Sequence, residues 1–548
     1  MVRNLILMFS IFSASFHLKA DTYAVYFKDK GDNLLMLNNP SLFLSEASIE
    51  RRRVQCIGVF ESDLPIAKLY TDSIKKYSLQ ALQSSKWLNC MLIETNDIKA
   101  IQQIKALNFV KDVKLVKSNH TSFQKKTKDL EVSGEQISLA FSAPNFYGLS
   151  DNQNKMIKVD YLHKKGFMGE GVKVAVFDVG FRNANNIAGF SDMFATGRYL
   201  GSWDMVDQEE NVFDNGGHGT ACLATMAAFE EGRFIGTSPK ASYALFRTED
   251  EKSETLVEEY NWVFAAEFAE SGGAQVFTTS LGYTTFDDPA TSHTYQDLDG
   301  NTTPISVASN VAARSGIIVV TSAGNEGAGS WYYISAPADA DSVLAIGAVK
   351  SNREIARFSS KGPNSKGRIK PDVCAQGERA TVYLPDGSTI QSNGTSFSGP
   401  ILAGAMTCLR QAFPSIRNLD LYDAVRSSAH LYKSPNDSFG YGIPDMAVAY
   451  LLLKRQENPL SPQQVSEVEV FPNPISNQFE VYLTASKQDK IDFELVDING
   501  RVVMKGNANF TTNDRKHTII VSENIPKGTY LLKLTGKDFY ELKMLIKN

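Results

Sequence analysis

The chain has 548 residues, more than a single hydrophobic core usually serves, so its length predicts two to four domains. The net charge is only −5 and the pI is about 5.9, and no basic patch indicates nucleic-acid binding. Five cysteines are too few for a disulfide scaffold, and none stands in a zinc-binding spacing with histidine, so no metal site is predicted.

Residues 1–20 have the pattern of a secretory signal peptide. Arg3 precedes an apolar run from Leu5 to Phe16, which ends in Leu18-Lys19-Ala20. The run is too short to span a bilayer, and no later segment reaches the roughly 18 uninterrupted apolar residues of a membrane helix. The sequence therefore predicts export and no membrane span.

Residues 21–118 have the pattern of a small α+β domain. Strands are predicted at 23–27, 91–94 and 110–116, helices at 45–53 and 96–107, and a strand followed by a helix at 63–78. Arg51-Arg52-Arg53 is interpreted as a solvated helix face rather than a processing site. Residues 119–150, rich in Ser, Lys and Asn, are expected to be a linker that contains the maturation site.

Three motifs further along the chain carry an Asp, a His and a Ser. Asp178 ends an apolar run typical of a buried parallel strand, at the place where open α/β sheets position their sites. His218 lies between glycines and precedes an alanine-rich helical run. Ser396 opens a predicted helix, whose N-terminus offers free N–H groups and the positive end of the helix dipole.

Each of these residues alone also has an ordinary interpretation, as a turn Asp, a loop His or an N-cap Ser. Together they fit nucleophilic catalysis, because a serine hydroxyl needs a base and the base needs a carboxylate. The order Asp, His, Ser is one of three unrelated orders in which this triad occurs. Ser398 stands where the nucleophile elbow of α/β-hydrolases needs Gly, which excludes that class.

These motifs resemble those of the subtilisin-like serine proteases, the subtilase family, over about residues 161–452. The resemblance implies a three-layer α/β domain with a parallel sheet, predicted at 151–453, that hydrolyses protein or peptide substrates. It implies that Asn325 is the side-chain donor of the oxyanion hole. It also implies that the residues binding the substrate backbone and walling the first specificity pocket are Ser280, Leu281, Gly282, Ala323 and Gly324.

Two nearby features are given no catalytic role. Calcium is common in the family, but Asp297-Leu298-Asp299-Gly300 lacks the rest of a calcium loop and is interpreted as a turn, so no cofactor is assigned. Cys222 stands four residues after His218, and the role of a small buried hydrophobe is favoured for it.

The same resemblance extends to residues 21–118. Phe43-Leu44-Ser45 and Ser85-Lys86-Trp87-Leu88-Asn89 are similar to propeptides of secreted bacterial subtilases. This implies an intramolecular chaperone and inhibitor, so the chain's own propeptide is an expected partner. We expect its strand edges to meet residues 280–282.

Residues 454–465 contain two prolines and predict a second linker, and residues 466–548 predict an all-β, Ig-like sandwich. Its seven strands are predicted at 468–471, 479–483, 491–496, 501–505, 517–521, 529–534 and 539–546. Phe471-Pro472-Asn473-Pro474 and Gly528-Thr529-Tyr530-Leu531-Leu532 resemble the C-terminal sorting domain of the type IX secretion system. That resemblance implies the secretion machinery as a partner and a secreted or cell-surface location, reached through the periplasm of a Gram-negative bacterium. A carbohydrate-binding or adhesive sandwich is the alternative.

Two other functions compete with endopeptidase activity for the whole chain. A surface adhesin built on an inactive protease fold is the alternative from another class, although every chemical position of the triad is filled. A peptide ligase or a specialised maturation protease is the second alternative, which only product analysis distinguishes.

Overall fold

The structure, a computed structural model, describes residues 20–78, 80–119, 134–136, 145–457, 468–483, 490–498, 500–510, 516–536 and 540–548. Nearly all of the predicted signal peptide and most of both predicted linkers lie outside the described residues. Within the described ranges, no helix is both long and apolar enough to cross a bilayer.

Residues 20–119 form a four-stranded antiparallel sheet in the order β2-β3-β1-β4. The strand predicted within 63–78 is wrong: this stretch holds only a helix and 3₁₀ turns, and the extra strand follows it. That strand was missed because Gln80–Ser85 is an edge strand of mostly polar residues. The elements are β1 (Thr22–Phe27), α1 (Glu46–Val54), α2 (Lys68–Ile74), β2 (Gln80–Ser85), β3 (Cys90–Glu94), α3 (Ile98–Lys105) and β4 (Val110–Lys117).

Residues 145–457 form a three-layer α/β domain, which confirms the predicted fold class. Its central sheet has seven parallel strands in the order β14-β13-β12-β11-β6-β10-β7. The elements, with a short strand β5 that precedes the domain, are β5 (Glu135–Gln136), α4 (Asp151–Met156), α5 (Val159–Lys164), β6 (Lys173–Asp178), α6 (Ser191–Ala195), β7 (Tyr199–Asp204), α7 (His218–Ala227), β8 (Phe229–Glu230), β9 (Phe234–Ile235), β10 (Ser242–Arg247), α8 (Val257–Ser271), β11 (Val276–Thr279), α9 (Pro304–Arg314), β12 (Ile318–Ser322), β13 (Leu344–Val349), β14 (Val373–Gln376), β15 (Ala380–Tyr383), β16 (Thr389–Ser392), α10 (Thr395–Ala412), α11 (Asn418–Ser428) and α12 (Met446–Glu457).

Strand β6 lies inside this sheet, third from one edge, and is buried on both faces. Val174 and Val176 pack in the core formed with α7 and α10, whereas Ala175 and Phe177 pack in the core formed with α8 and α9. Its neighbours are β10 on one side and β11 on the other. The chain therefore adds strands first on one side of β6 and then on its other side. Side chains that follow the carboxyl ends of these strands therefore converge at a topological switch point.

The N-terminal sheet packs on the three-layer domain with one face. Ala24 and Leu92 belong to the core that includes Tyr260 and Phe264 of α8. The opposite face is covered by the unit's own helices, with Ile74 and other residues in a separate core. The N-terminal unit therefore shares a hydrophobic core with the three-layer domain.

The interpretation of the arginine triplet as a solvated helix face is wrong for two of the three residues. Arg51 and Arg52 are buried and pair with Glu270 of α8, and only Arg53 is exposed. The error has a simple cause: three adjacent charges on a short helix ordinarily face water, and the residue that pairs with them lies far away in sequence.

The C-terminal region has two sheets that enclose a common apolar core, and all seven predicted strands are present. One sheet has the order β17-β18-β21 and the other β20-β19-β22-β23. Helix α12 extends through Glu457, into the predicted linker. The strands are β17 (Val468–Phe471), β18 (Gln478–Leu483), β19 (Lys490–Asp497), β20 (Val502–Asn509), β21 (Lys516–Ile520), β22 (Gly528–Thr535) and β23 (Tyr540–Lys547).

This C-terminal sandwich contacts the three-layer domain through aromatic rings. The ring of Tyr161 on α5 lies 5.4 Å from that of Phe471 and 5.9 Å from that of Tyr482, between ring centroids. Ion pairs surround the rings, including Lys165 with Glu469 at 3.8 Å. The two domains are therefore in direct contact.

Candidate active site

The predicted Asp and His lie side by side at the carboxyl edge of the sheet. Asp178 is the last residue of β6, and His218 is the first residue of α7. Their side chains are joined by a hydrogen bond of 2.7 Å between Asp178 Oδ1 and His218 Nδ1, and both residues are buried. The backbone N–H of Val179 also donates to Asp178 Oδ1. The carboxylate thus fixes the histidine ring and directs Nε2 away from itself.

The electrostatics of this pair favour a basic histidine. Burial alone would lower the pKa of His218, because it disfavours the charged ring. The adjacent Asp178 carboxylate outweighs this effect and raises the pKa of His218 well above its usual value of 6.5. The ring is therefore a stronger proton acceptor than a free histidine.

Ser396 is the second residue of α10, next to the ring of His218. Pro400 stands four residues later and has no N–H, so the Ser396 carbonyl receives no intrahelical hydrogen bond from it. That carbonyl instead accepts from Ser280 Oγ at 2.8 Å and from Cys222 Sγ at 3.2 Å. The serine backbone is thus tied both to the segment after β11 and to the helix that carries His218.

The Ser396 hydroxyl donates to the carbonyl of Ser280 at 3.3 Å rather than to His218. Cys222 Sγ lies 4.0 Å from His218 Nε2 and also contacts the Ser396 backbone, so the imidazole and the serine are near neighbours. Catalytic hydrogen bonds are often long or poorly aligned before substrate binds. Cys222 is buried, as predicted, and its position four residues after His218 had also left open a place near these residues, which the structure shows.

Asn325 follows β12 and presents its amide nitrogen outward. Its Oδ1 accepts from the Thr395 backbone N–H and from Thr395 Oγ1, both at 2.9 Å. Gly324 N–H in turn donates to Thr395 Oγ1, which fixes the direction of the Thr395 hydroxyl. Because Oδ1 is occupied by donors and the residue is exposed, Nδ2 is the amide atom that remains available to a ligand. Thr395 is therefore a positioning residue that the motif alone did not single out.

The predicted substrate-binding residues form two facing walls beside Ser396. Residues 280–282 follow β11, and Ala323 and Gly324 follow β12. No described residue makes a backbone hydrogen bond to Leu281 or Gly282. In particular, residues 20–119 do not pair with this segment, so the expected contact with propeptide strand edges is not found there.

The hydroxyl of Ser335 lies between these walls. A Cβ on Gly282 would come within 2.2 Å of Ser335 Oγ, and a Cβ on Gly324 within 3.1 Å. The hydroxyl is buried and has no hydrogen-bond partner among the described residues. Glycine is therefore required at both wall positions, and Ser335 limits the depth of the space between them.

The described residues contain one group of side chains that converges closely enough to hold a metal ion, namely Asp178, His218 and Cys222. Two of these three already share the hydrogen bond described above. Asp297, in the segment interpreted as a turn, accepts from both the N–H and the hydroxyl of Thr294.

The sequence profile of the Subtilase family matches residues 169–442. The chain belongs to the subtilase family. It is a serine endopeptidase. Subtilisin E from Bacillus subtilis is 29% identical over 372 residues, which cover 67% of this chain and 86% of the relative. Subtilisin from Bacillus pumilus is 31% identical over 300 residues, 54% of this chain and 94% of the relative.

Two further profiles match on either side of the subtilase domain. The Bacteroidota peptidase S8 propeptide domain matches residues 22–131, and the secretion system C-terminal sorting domain matches residues 469–548. This subtilase thus has a propeptide and a type IX sorting domain, and it is a secreted or cell-surface protein. Among solved structures, MycP1 from Mycobacterium smegmatis aligns with 60% of this chain and 89% of its own, at 20% identity and a TM-score of 0.45.

Proposed function

We propose that this subtilase cleaves peptide bonds with Ser396 as nucleophile, His218 as general base and Asp178 as the carboxylate that orients His218. The carrying observation is the buried 2.7 Å hydrogen bond between Asp178 and His218, beside the helix N-terminus that bears Ser396. This arrangement has the parts that acyl transfer requires.

In this mechanism, Ser396 Oγ attacks the peptide carbonyl carbon while its proton passes to His218 Nε2. The carbonyl oxygen becomes negative and is stabilised by Asn325 Nδ2 and the backbone N–H of Ser396. Collapse of the tetrahedral intermediate breaks the C–N bond, and His218 returns the proton to the leaving amine. Water then hydrolyses the acyl-enzyme by the same steps, which frees Ser396.

Substrate is proposed to bind as an extended strand along Ser280, Leu281 and Gly282, with its side chain between that segment and Ala323-Gly324. The free backbone groups of Leu281 and Gly282 support this pairing. Such binding depends on main-chain hydrogen bonds and therefore accepts many sequences.

We further propose that the enzyme is made as a zymogen and exported by a type IX-like system. The proposed parts are a signal peptide at 1–20, a propeptide at 21–118, a linker with the maturation site at 119–150, the peptidase at 151–453, a linker at 454–465 and the sorting domain at 466–548. Structural calcium is not assigned.

Replacing the nucleophile tests the catalytic assignment. We expect Ser396→Ala to abolish casein hydrolysis in a zymogram, with a loss on the order of 10⁶ in kcat as in a subtilisin, a relative of this chain. Ser398→Ala is the matched control, because it removes only a hydrogen bond to the Thr395 carbonyl within the same helical turn. Cleavage by a clean Ser396→Ala preparation would refute the assignment. If the parent protein does not hydrolyse casein, the result would favour the alternative of a surface adhesin built on an inactive protease fold.

A further inference from the structure

The propeptide is anchored to the catalytic domain by a polar site far from the catalytic residues. Helix α1 places Arg51 and Arg52 against Glu270, and the side chains are 4%, 2% and 0% exposed, respectively. Arg51 Nη2 lies 2.5 Å and Arg52 Nη1 2.8 Å from the same carboxylate oxygen of Glu270. Lys86 Nζ approaches the other oxygen at 3.1 Å. One buried carboxylate thus contacts three propeptide cations, and Arg52 also pairs with Asp63 of the propeptide at 2.6 Å.

The surroundings of Glu270 are also suited to cations. Arg51 donates to the carbonyls of Glu270 and Ala274, at the end of α8, and to that of Ser315, at the end of α9. Helix C-termini carry unpaired carbonyls and the negative end of the helix dipole, so they attract positive charge. We call this site, formed by Glu270, Ala274, Ser315, Gly316 and Asn418, the arginine notch.

Gln55, one helical turn after Arg51, completes the contact. Its Nε2 donates to the carbonyl of Gly316 at 2.8 Å, and its Oε1 accepts from the backbone N–H of Asn418 at 3.1 Å. Asn418 is the first residue of α11, where helical N–H groups lack intrahelical acceptors. Each polar end of the glutamine therefore satisfies a helix terminus of the catalytic domain.

The arginine notch lies at the opposite edge of the sheet from the active site. It is built at the ends of α8 and α9, just before β11 and β12 begin. Ser280 and Asn325 come after the carboxyl ends of those same strands. An α1 helix bound in the notch thus leaves the substrate cleft uncovered.

The electrostatics support a specific role for Glu270. Burial alone would raise the pKa of this carboxyl, but Lys86, Arg51 and Arg52 together lower it to about 2. Glu270 is therefore ionised and paired with cations while the propeptide is bound. Removing one cation would leave a buried charge less well paired, which is costly.

We propose that the arginine notch is an exosite that holds the propeptide on the enzyme after the chain has been cut between them. Its ligand is a helix that presents two adjacent arginines and, one turn later, a glutamine. The proposal rests on the assignment of residues 21–118 as a propeptide that is cleaved from the peptidase. Retention of the propeptide on the enzyme and blockage of the substrate cleft are then separable properties.

The test measures release of the cut propeptide from the full-length chain. In a Ser396→Ala background, a recognition site for a site-specific protease is inserted within residues 120–133, the chain is cut, and the dissociation rate is followed by size-exclusion and surface-capture measurements. The matched variants are Arg51→Gln, whose side-chain partners all lie in the catalytic domain, and Arg53→Gln, whose partner is the exposed Glu50.

We expect Arg51→Gln to speed dissociation at least about tenfold and Arg53→Gln to leave it unchanged. Glu270→Gln should also speed dissociation, and combining it with Arg51→Gln should give less than the product of the two effects. If Arg51→Gln misfolds, Gln55→Ala takes its place. Release from either correctly folded variant at the parent's rate would overturn the proposal. Because no step needs catalysis, failure here is distinct from failure of the proposed triad.

Discussion

Pro400 controls how Ser396, the proposed nucleophile, is held. By leaving the Ser396 carbonyl without an N–H donor in its own helix, it makes that carbonyl available to Ser280 and Cys222. The serine is thereby fixed by the proposed substrate-binding segment and by the helix that carries His218, the proposed base. A change at Ser280 should thus affect both substrate binding and the position of Ser396.

The protonation of His218 predicts the pH dependence of activity. Only the neutral ring accepts a proton, and Asp178 raises the pKa of His218 well above 6.5. We expect kcat/KM to rise with pH through a midpoint above 6.5. The raised pKa also means that this pair stabilises the fold most below pH 6.5, and that its contribution is lost as pH rises through the pKa in the folded state.

A kcat/KM profile with a short peptide substrate measures this midpoint. Asp178→Asn should lower the midpoint and reduce kcat by about 10⁴-fold, because the ring loses its orienting carboxylate. A midpoint at or below 6.5 in the parent enzyme would contradict the role given to Asp178.

Asn325 predicts a separable loss of transition-state stabilisation. Because its Oδ1 is held by Thr395, its Nδ2 is free to meet the negative oxygen that forms during attack. We expect Asn325→Leu to reduce kcat about 10²–10³-fold with little change in KM, as for a subtilisin, a relative of this chain. Steady-state kinetics with a peptide substrate would measure both constants. A raised KM with unchanged kcat would instead assign Asn325 to substrate binding.

At the scale of elements, the start of helix α7 packs tightly against the turn after β6. A Cβ on Gly219 would come within 2.2 Å of the Gly180 carbonyl oxygen and 2.9 Å of Asp178 Cβ. The helix is fully buried, so it cannot move away without disturbing the core. Gly219 therefore sets the distance between the helix bearing His218 and the strand bearing Asp178.

We expect Gly219→Ala to destabilise the fold by about 1–3 kcal/mol and to lower kcat/KM, although alanine is the better helix former. The control is Gly272→Ala at the end of α8, where the nearest atoms lie 3.5 Å from the added carbon. Thermal melts and kinetics of both variants provide the comparison. Equal behaviour of the two would show that the contact at Gly219 is readily relieved.

The sequence predicted elements well where a pattern is local. The buried strand before Asp178 and the seven C-terminal strands have clear apolar periodicity, and all are present. It failed at Gln80–Ser85, whose polar edge strand has no such signal, and at Arg51-Arg52, whose partner is distant in the chain. The motifs likewise predicted the chemical groups of the site. They did not predict the hydrogen bonds from Thr395 to Asn325 Oδ1, because these depend on tertiary contact.

At the scale of the whole molecule, the propeptide, the peptidase and the sorting domain are separated by predicted linkers but share hydrophobic cores. The propeptide shares apolar contacts with α8, and Tyr482 of the sorting domain belongs to the main core of the peptidase. We therefore expect the sorting domain to stabilise the peptidase, because Tyr161 loses two aromatic partners without it.

Deleting residues 466–548 should block release from the producing cell and leave kcat unchanged, while lowering the melting temperature. The sorting match predicts the first effect, and exposure of Tyr161 predicts the last. Tyr482→Ala is the control, because it weakens the domain contact and keeps the sorting motifs, so it should still be exported. Activity in fractions of cells that have the exporter tests both. Equal release of the truncated enzyme would favour a binding module.

The positions of the proposed catalytic residues in the chain also determine when, during synthesis, the protein can become an active protease. Asp178 and His218 are synthesised early, but Ser396, the proposed nucleophile, lies near the end of the peptidase domain, after all seven strands of its central sheet. A nascent chain, or one that ends before α10, lacks Ser396 and therefore lacks the hydroxyl proposed to attack the peptide carbonyl. Premature termination anywhere in the first seven-tenths or so of the gene thus yields inert products.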